Sequence, residues 1–136
     1  MNHSFEYIKT FPSSLDEVVG QVARIILLLD EELEHYNRFV LDLVLRETLN
    51  NAVIHGNQND TEKSIQLNLH TSDDQFVIEV EDQGQGFDWR AVIQGEANPQ
   101  ADHGRGFPIF HAYCNEIILS EKGNHISLKL DIDKSE

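Results

Sequence analysis

Apolar residues along this chain change their spacing several times, and each change marks a predicted element. Alternation in "HSFEYIKTF" predicts a first strand, and "PSSLDEVVGQVARIILLLDEEL" then opens on Pro and Ser before a helical repeat. Val18, Val22, Ile25, Ile26 and Leu29 form the apolar stripe of that helix. A second helix is predicted from about Glu34 to His55, stopping at Gly56-Asn57 as a C-cap. Period-two spacing returns in "SIQLNLHT" and "FVIEVED", joined by "SDDQ", which together read as a β-hairpin. Ile65, Leu67 and Leu69 share one face of it, and Phe76, Ile78 and Val80 share the matching face. Between Gln83 and Gly106 the pattern breaks into Gly, Asn, Gln and Asp, with one short helical turn expected around Trp89 to Ile93. A stretch of that kind inside a compact domain reads as a lid over a site, here at about 88–106. A helix follows near Phe107-Pro108, Pro suiting its first turn, and "EIILSE", "KGN" and "HISLKLDI" make a closing hairpin. The order β-α-α-β-β-lid-α-β-β predicts an α+β fold. It is a two-layer sandwich with helices on one face of a mostly antiparallel mixed sheet, as a single domain over residues 1–136.

The second helix is unusual in where its polar groups fall. With about 100° of rotation per residue, Tyr36, Val40, Leu43, Asn51 and Ile54 all lie within about 40° of Glu47. Glu47 and Asn51 are therefore expected to prolong a core-facing stripe, while Asp42, Arg46, Asn50 and Asn57 form the outer side and His55 lies between. A carboxylate and a carboxamide one turn apart on such a stripe suit a cavity holding a cation and its ligand. Their oxygens are hard donors of the kind Mg²⁺ accepts beside waters and phosphate oxygens.

Charge narrows the ligand classes. The 136 residues carry 24 acidic and 10 basic side chains, a formal charge of −14, which argues against nucleic acid and against an anionic membrane surface. A phosphorylated ligand would have to be held by backbone N–H groups, a metal ion and one or two cations. The single cysteine, Cys114, sits in "IFHAYCNEI" at the expected buried end of a short helix and reads as structural. The N-terminus has neither a basic n-region nor an apolar h-region, and "ARIILLL" is too short to span a bilayer, so a soluble cytoplasmic protein is expected.

Two glycine sites complete the set. Asp82 shares parity with Phe76, Ile78 and Val80, which turns its carboxylate toward the core at a strand's end, with Gly84 and Gly86 directly after it. In "HGRGFPIF", Gly104 and Gly106 flank Arg105 before a helix, where N–H groups and the helix dipole attract anions. Either motif alone is weak. Their order after an E-x-x-x-N helix is not.

The chain here resembles the GHKL ATPases, the superfamily that includes gyrase and the histidine kinases: "ETLNN" matches the N box, "DQGQGF" the first glycine box and "HGRGF" the second. Within it, "LRETLNNAVIHGN" and "HGRGFPIFHAYCNEI" are similar to the bacterial anti-sigma factor serine/threonine kinases, over nearly the whole chain. The resemblance implies a Bergerat α/β sandwich, ATP and Mg²⁺ as cofactors, and a homodimer. It implies that Asn51 ligates Mg²⁺ and that Glu47 orients or deprotonates the attacking hydroxyl. Asp82 would accept from the adenine amino group, Gly84 and Gly86 would pass close to the nucleotide, and Gly104, Arg105 and Gly106 would bind phosphates. The family pattern also contains His55, read first as packing at the helix end, whereas Asn50 is peripheral. Two departures stand out: Gly123-Asn124-His125 replaces a frequent Gly-Thr, making Asn124 the candidate for that contact, and Phe107-Pro108 replaces a usual aliphatic residue.

The implied activity is that of a kinase and anti-sigma factor. It would sequester a sigma factor in one state and phosphorylate Ser or Thr of a STAS-type antagonist in the other. A non-catalytic nucleotide switch and a detached histidine kinase ATPase domain are the alternatives; the presence of Glu47 favours chemistry.

Overall fold

Strand β1 spans Glu6–Pro12 in the computed structural model, which describes residues 4–86 and 106–133. Helix α1, Leu15–Glu32, begins where Ser14 caps it: the Ser14 hydroxyl accepts from the Glu17 backbone N–H at 3.1 Å. Asp16 and Glu17 add acid to the first turn, where the helix dipole favours it. The expected stripe of Val18, Val22, Ile25, Ile26 and Leu29 is buried.

Helix α2 runs Arg38–Asn51, starting at Arg38 rather than at the expected Glu34. Asn37 sets that boundary, its carboxamide oxygen accepting from the Val40 N–H at 3.2 Å while its own N–H donates to the Ile132 carbonyl at 2.8 Å. The helical run then continues, not as α-helix to His55 but as a wider π turn, Ala52–Gly56, closed by the Asn57 N–H on the Ala52 carbonyl at 2.8 Å. π turns within helices concentrate at functional sites.

Strands β2, Ser64–Ser72, and β3, Gln75–Asp82, form the expected hairpin. Helix α3, Gly106–Tyr113, is followed by β4, Glu116–Leu119, and β5, His125–Asp131. The sheet order is β1-β2-β3-β5-β4, with helices on one face, as the apolar spacing requires. Every pairing among the described residues is antiparallel, so the mixed component of the expected sheet is not found there. Only β2-β3 and β4-β5 are hairpins, and the longer connections also return antiparallel, so no parallel crossover arises among the described residues.

The core lies between the helices and one sheet face: Ile65, Leu67 and Leu69 of β2, Phe76, Ile78 and Val80 of β3, and Ile126, Leu128 and Leu130 of β5 are all buried. Each such side chain contributes roughly 1.5–3 kcal/mol by leaving water. The same parity carries Asp82, four-hundredths exposed, to the core side at the end of β3. No helix among the described residues is long and apolar enough to cross a membrane.

Candidate functional site

Helix α2 delivers its polar groups differently from the angular expectation. The buried positions are Leu41, Val44, Leu45, Thr48, Leu49 and Asn51, with Ala52 beyond, a face centred roughly 120° round the helix from Glu47. Tyr36, Val40, Leu43, Glu47 and Ile54 are instead half-buried, so the stripe through Glu47 is a flank of the helix and not its core face. The first half of α2 is apolar nearly all round, and the unbroken i, i+4 ridge Leu41-Leu45-Leu49 wins the contact with the core. Glu47 consequently stands at a rim, and Asn51 at the border of the core, 5% exposed. Arg46 is exposed, as expected, and pairs with Asp42, while Asn50 is half-buried. Thr48, buried on the core face, donates its hydroxyl proton to the Val44 carbonyl at 2.6 Å.

The Asn51 Nδ2 is buried and has no hydrogen-bond partner among the described residues. Burying such a donor unpaired costs about 1–3 kcal/mol, and native structures rarely leave one without a ligand or water to meet it. A phosphate oxygen or a water held by a cation would satisfy it.

The end of β3 is bound from several sides. Asp82 Oδ1 accepts from the Gly84 N–H at 2.8 Å, and the Asp82 N–H donates to the Asn124 carbonyl at 2.9 Å. Burial pushes the Asp82 carboxyl above its ordinary value; the Gly84 N–H opposes this, Glu81 adds to it, and Lys122 and Lys63 oppose it. Its second oxygen has no hydrogen-bond partner among the described residues. It is not among the buried atoms left unsatisfied, so it stands open to solvent or a ligand.

Close approach explains the glycines. A methyl group at Gly84 would overlap the Gly56 carbonyl, and one at Gly56 would overlap the Asp82 carboxylate. The π turn and the loop after β3 thus touch backbone to backbone, which only glycine permits. Gly86 has φ +92° and lies against the Lys122 carbonyl, so the closing hairpin's turn covers the other side of the loop.

Asn57, expected on the outer side of the helix, is fully buried. Its Nδ2 donates to the Ser64 carbonyl at 3.0 Å and its Oδ1 accepts from the Gln83 N–H at 2.8 Å. The chain has left the helix by then, with Gln58 and Asn59 at φ 56° and 62°, so helical angles no longer apply. The cluster "GNQND" was a usable signal, because Asn and Asp tolerate left-handed turns. Gly56 was legible only as a helix stop, and its contact with Asp82 was not.

Asn124 does reach this site: its Nδ2 donates to the Asp82 carbonyl at 3.2 Å, and its Oδ1 accepts from the Ser120 hydroxyl at 3.4 Å. Gly106 is the first residue of α3. Gly104, Arg105, the lid and the turn expected at Trp89 to Ile93 lie outside the described residues, except for Gly106. Cys114 follows α3, half-buried, with burial pushing its thiol up to about 12, which leaves it protonated and unreactive at neutral pH.

These residues fit a nucleotide carrying a magnesium ion. Asn51 and Glu47 offer one carboxamide and one carboxylate a turn apart, and Mg²⁺ binds through one or two such groups with phosphate oxygens and waters completing its shell. Among the described residues there is no cluster of three or more His, Cys, Asp or Glu that would form an all-protein metal cage.

A family model described as a histidine kinase-like ATPase domain matches residues 11–130. Among solved structures, the histidine kinase domain from the Erythrobacter litoralis EL346 blue-light activated histidine kinase is similar, with a TM-score of 0.52 and 20% identity. The match covers 89% of this chain and 60% of that one, so the chain spans about 60% of that structure's length. At this identity the likeness concerns the fold alone. No curated protein matched the sequence.

Proposed function

The chain belongs to the histidine kinase-like ATPase family, and on that premise we propose that it is an ATP- and Mg²⁺-dependent protein kinase and anti-sigma factor. It binds a sigma factor in one state and, in the other, phosphorylates Ser or Thr of a STAS-type antagonist; it works as a cytoplasmic homodimer. The observation that carries the nucleotide half is the buried Asp82 carboxylate, held by Gly84 on one oxygen and unpartnered on the other. That oxygen suits the amino group of adenine. The kinase half is supported by Glu47, placed one turn before Asn51 at the half-buried rim of α2.

Each residue then has a task. Asp82 accepts from the adenine amino group. Gly84 and Gly86, packed on the Gly56 and Lys122 carbonyls, hold the loop close to the nucleotide, and Asn124 holds the Asp82 carbonyl from behind. Asn51 would hold Mg²⁺, which, when bound, offsets negative charge on the phosphates. Glu47 accepts or orients the proton of the attacking hydroxyl. Gly104, Arg105 and Gly106 bind the phosphates, with Arg105 adding a charge-assisted contact.

The test is incubation with labelled ATP and the STAS-domain antagonist encoded nearest to it. Acid-stable phosphoserine or phosphothreonine on the antagonist is expected, lost in Glu47→Ala. If Glu47→Ala transfers phosphate as well as the wild type, the assignment of Glu47 fails. A second reading, the ATPase domain of a histidine kinase, is supported by the family match over residues 11–130. Acid-labile phosphohistidine on a partner would select it.

A further inference from the structure

The loop after β3 carries a device that the motif pattern does not reveal. The peptide plane joining Asp82 to Gln83 is held at both ends. Its carbonyl accepts from Asn124 Nδ2 at 3.2 Å, and its N–H donates to Asn57 Oδ1 at 2.8 Å. A peptide unit is rigid, so pinning both its C=O and its N–H removes the backbone rotation that would swing the preceding side chain. That side chain is the Asp82 carboxylate.

Asn57 is itself anchored. It has no exposed surface, and its Nδ2 donates to the Ser64 carbonyl at 3.0 Å. Ser64 in turn is tied to the other end of Gln83, whose Oε1 accepts from the Ser64 N–H at 2.6 Å and from its hydroxyl at 3.2 Å. Asn57, Ser64 and Gln83 form a closed three-residue link between the exit of the π turn, the start of β2 and the loop. The π turn that brings Asn57 inward also presses Gly56 against Asp82 and Gly84.

We propose that Asn57 is a positioning residue for base selection, its carboxamide holding the Gln83 N–H so that the Asp82 carboxylate stands in its reading position before nucleotide arrives. This rests on the nucleotide reading above and deepens it. Asn57 touches no ligand in this account. It acts through the Asp82–Gln83 peptide.

The experiment is calorimetric titration of the full chain with Mg·ATP and with Mg·inosine triphosphate, which presents a carbonyl where ATP has its amino group. Wild type is expected to prefer ATP. In Asn57→Ala the affinity for ATP should fall about tenfold or more while that for inosine triphosphate stays within about twofold, so the preference collapses. Equal losses for both nucleotides would mean general damage and overturn the proposal, as would an unchanged preference. Asn57→Asp keeps the acceptor for Gln83 and loses the donor to Ser64; it should retain most of the preference, and a collapse equal to that of Asn57→Ala would overturn the assignment to the Gln83 bond. A wild type that binds ATP without preference, or not at all, removes the nucleotide reading and this inference together. Should Asn57→Ala not fold, hydrogen exchange in the nucleotide-free wild type also decides. The Gln83 amide should exchange as slowly as the β3 interior, and exchange at the rate of an exposed loop would overturn the proposal.

Discussion

Around Asp82 the backbone is tied from several directions, while Glu47 stands at a half-buried rim and the buried Asn51 donor lacks a partner among the described residues. In the proposed reading both belong to one nucleotide site, yet they are built on opposite terms. The Asp82 end, proposed to read the base, is already held by glycine contacts, a pinned peptide and a hydrogen bond on one carboxylate oxygen. At the proposed phosphate end the buried Asn51 Nδ2 is left for a ligand, its ion or a water to meet. On that reading preorganisation at one end would give selectivity, since an analogue lacking the amino group leaves Asp82 without its donor. At the other, the half-buried Glu47 would be reachable by the proposed partner's hydroxyl.

The difference can be tested residue by residue. Glu47→Gln should lower the rate of phosphoryl transfer roughly 10²–10⁴-fold with little change in ATP affinity, as single-turnover kinetics would report. A large loss of affinity instead would move Glu47 from chemistry to binding.

Asp82→Asn should weaken ATP binding on the order of 100-fold and at the same time raise the melting temperature at neutral pH. The sign follows from the carboxyl's elevation. The folded protein holds that proton more tightly than the unfolded chain, so this group's contribution to stability falls as pH rises from the ordinary carboxylate range through its raised folded value. At neutral pH the buried charge is a net cost, and the carboxamide removes it while keeping an acceptor for the Gly84 N–H. Melting curves across mildly acidic to neutral pH check this: the variant should lack the part of the decline that Asp82 causes. A lower melting temperature for Asp82→Asn would contradict it.

Asn51→Leu should melt no lower than wild type without nucleotide, because it replaces an unpaired buried donor costing about 1–3 kcal/mol with an apolar group of similar shape. Added Mg·ATP should then fail to stabilise it, whereas wild type gains. At the small end, Arg46→Ala breaks only the exposed pair with Asp42 and should change stability by less than about 0.5 kcal/mol in denaturant titrations.

The same contrast separates what the sequence shows from what it conceals. Hairpins and the α1 stripe follow from local spacing, and Asp82 is found by parity, because each depends on neighbours one or two residues away. The buried face of α2 does not, since Phe39, Val40, Leu41, Leu43, Val44 and Leu45 offer apolar groups on nearly every side and only packing selects among them. Nor does Asn57, whose partners Ser64 and Gln83 are distant in sequence and whose place depends on a π turn that no residue pattern announces. The expected core-facing direction fails for Glu47, which stands half-buried at a rim, and holds for Asn51, which is buried.

Titration of the wild-type chain and of Asp82→Asn with ATP, with and without Mg²⁺, by calorimetry joins both ends in one measurement. The account predicts saturable one-site binding to wild type that weakens sharply without Mg²⁺ and on the order of 100-fold in a well-folded Asp82→Asn. Absence of binding to wild type, or equal affinity in Asp82→Asn, would contradict it.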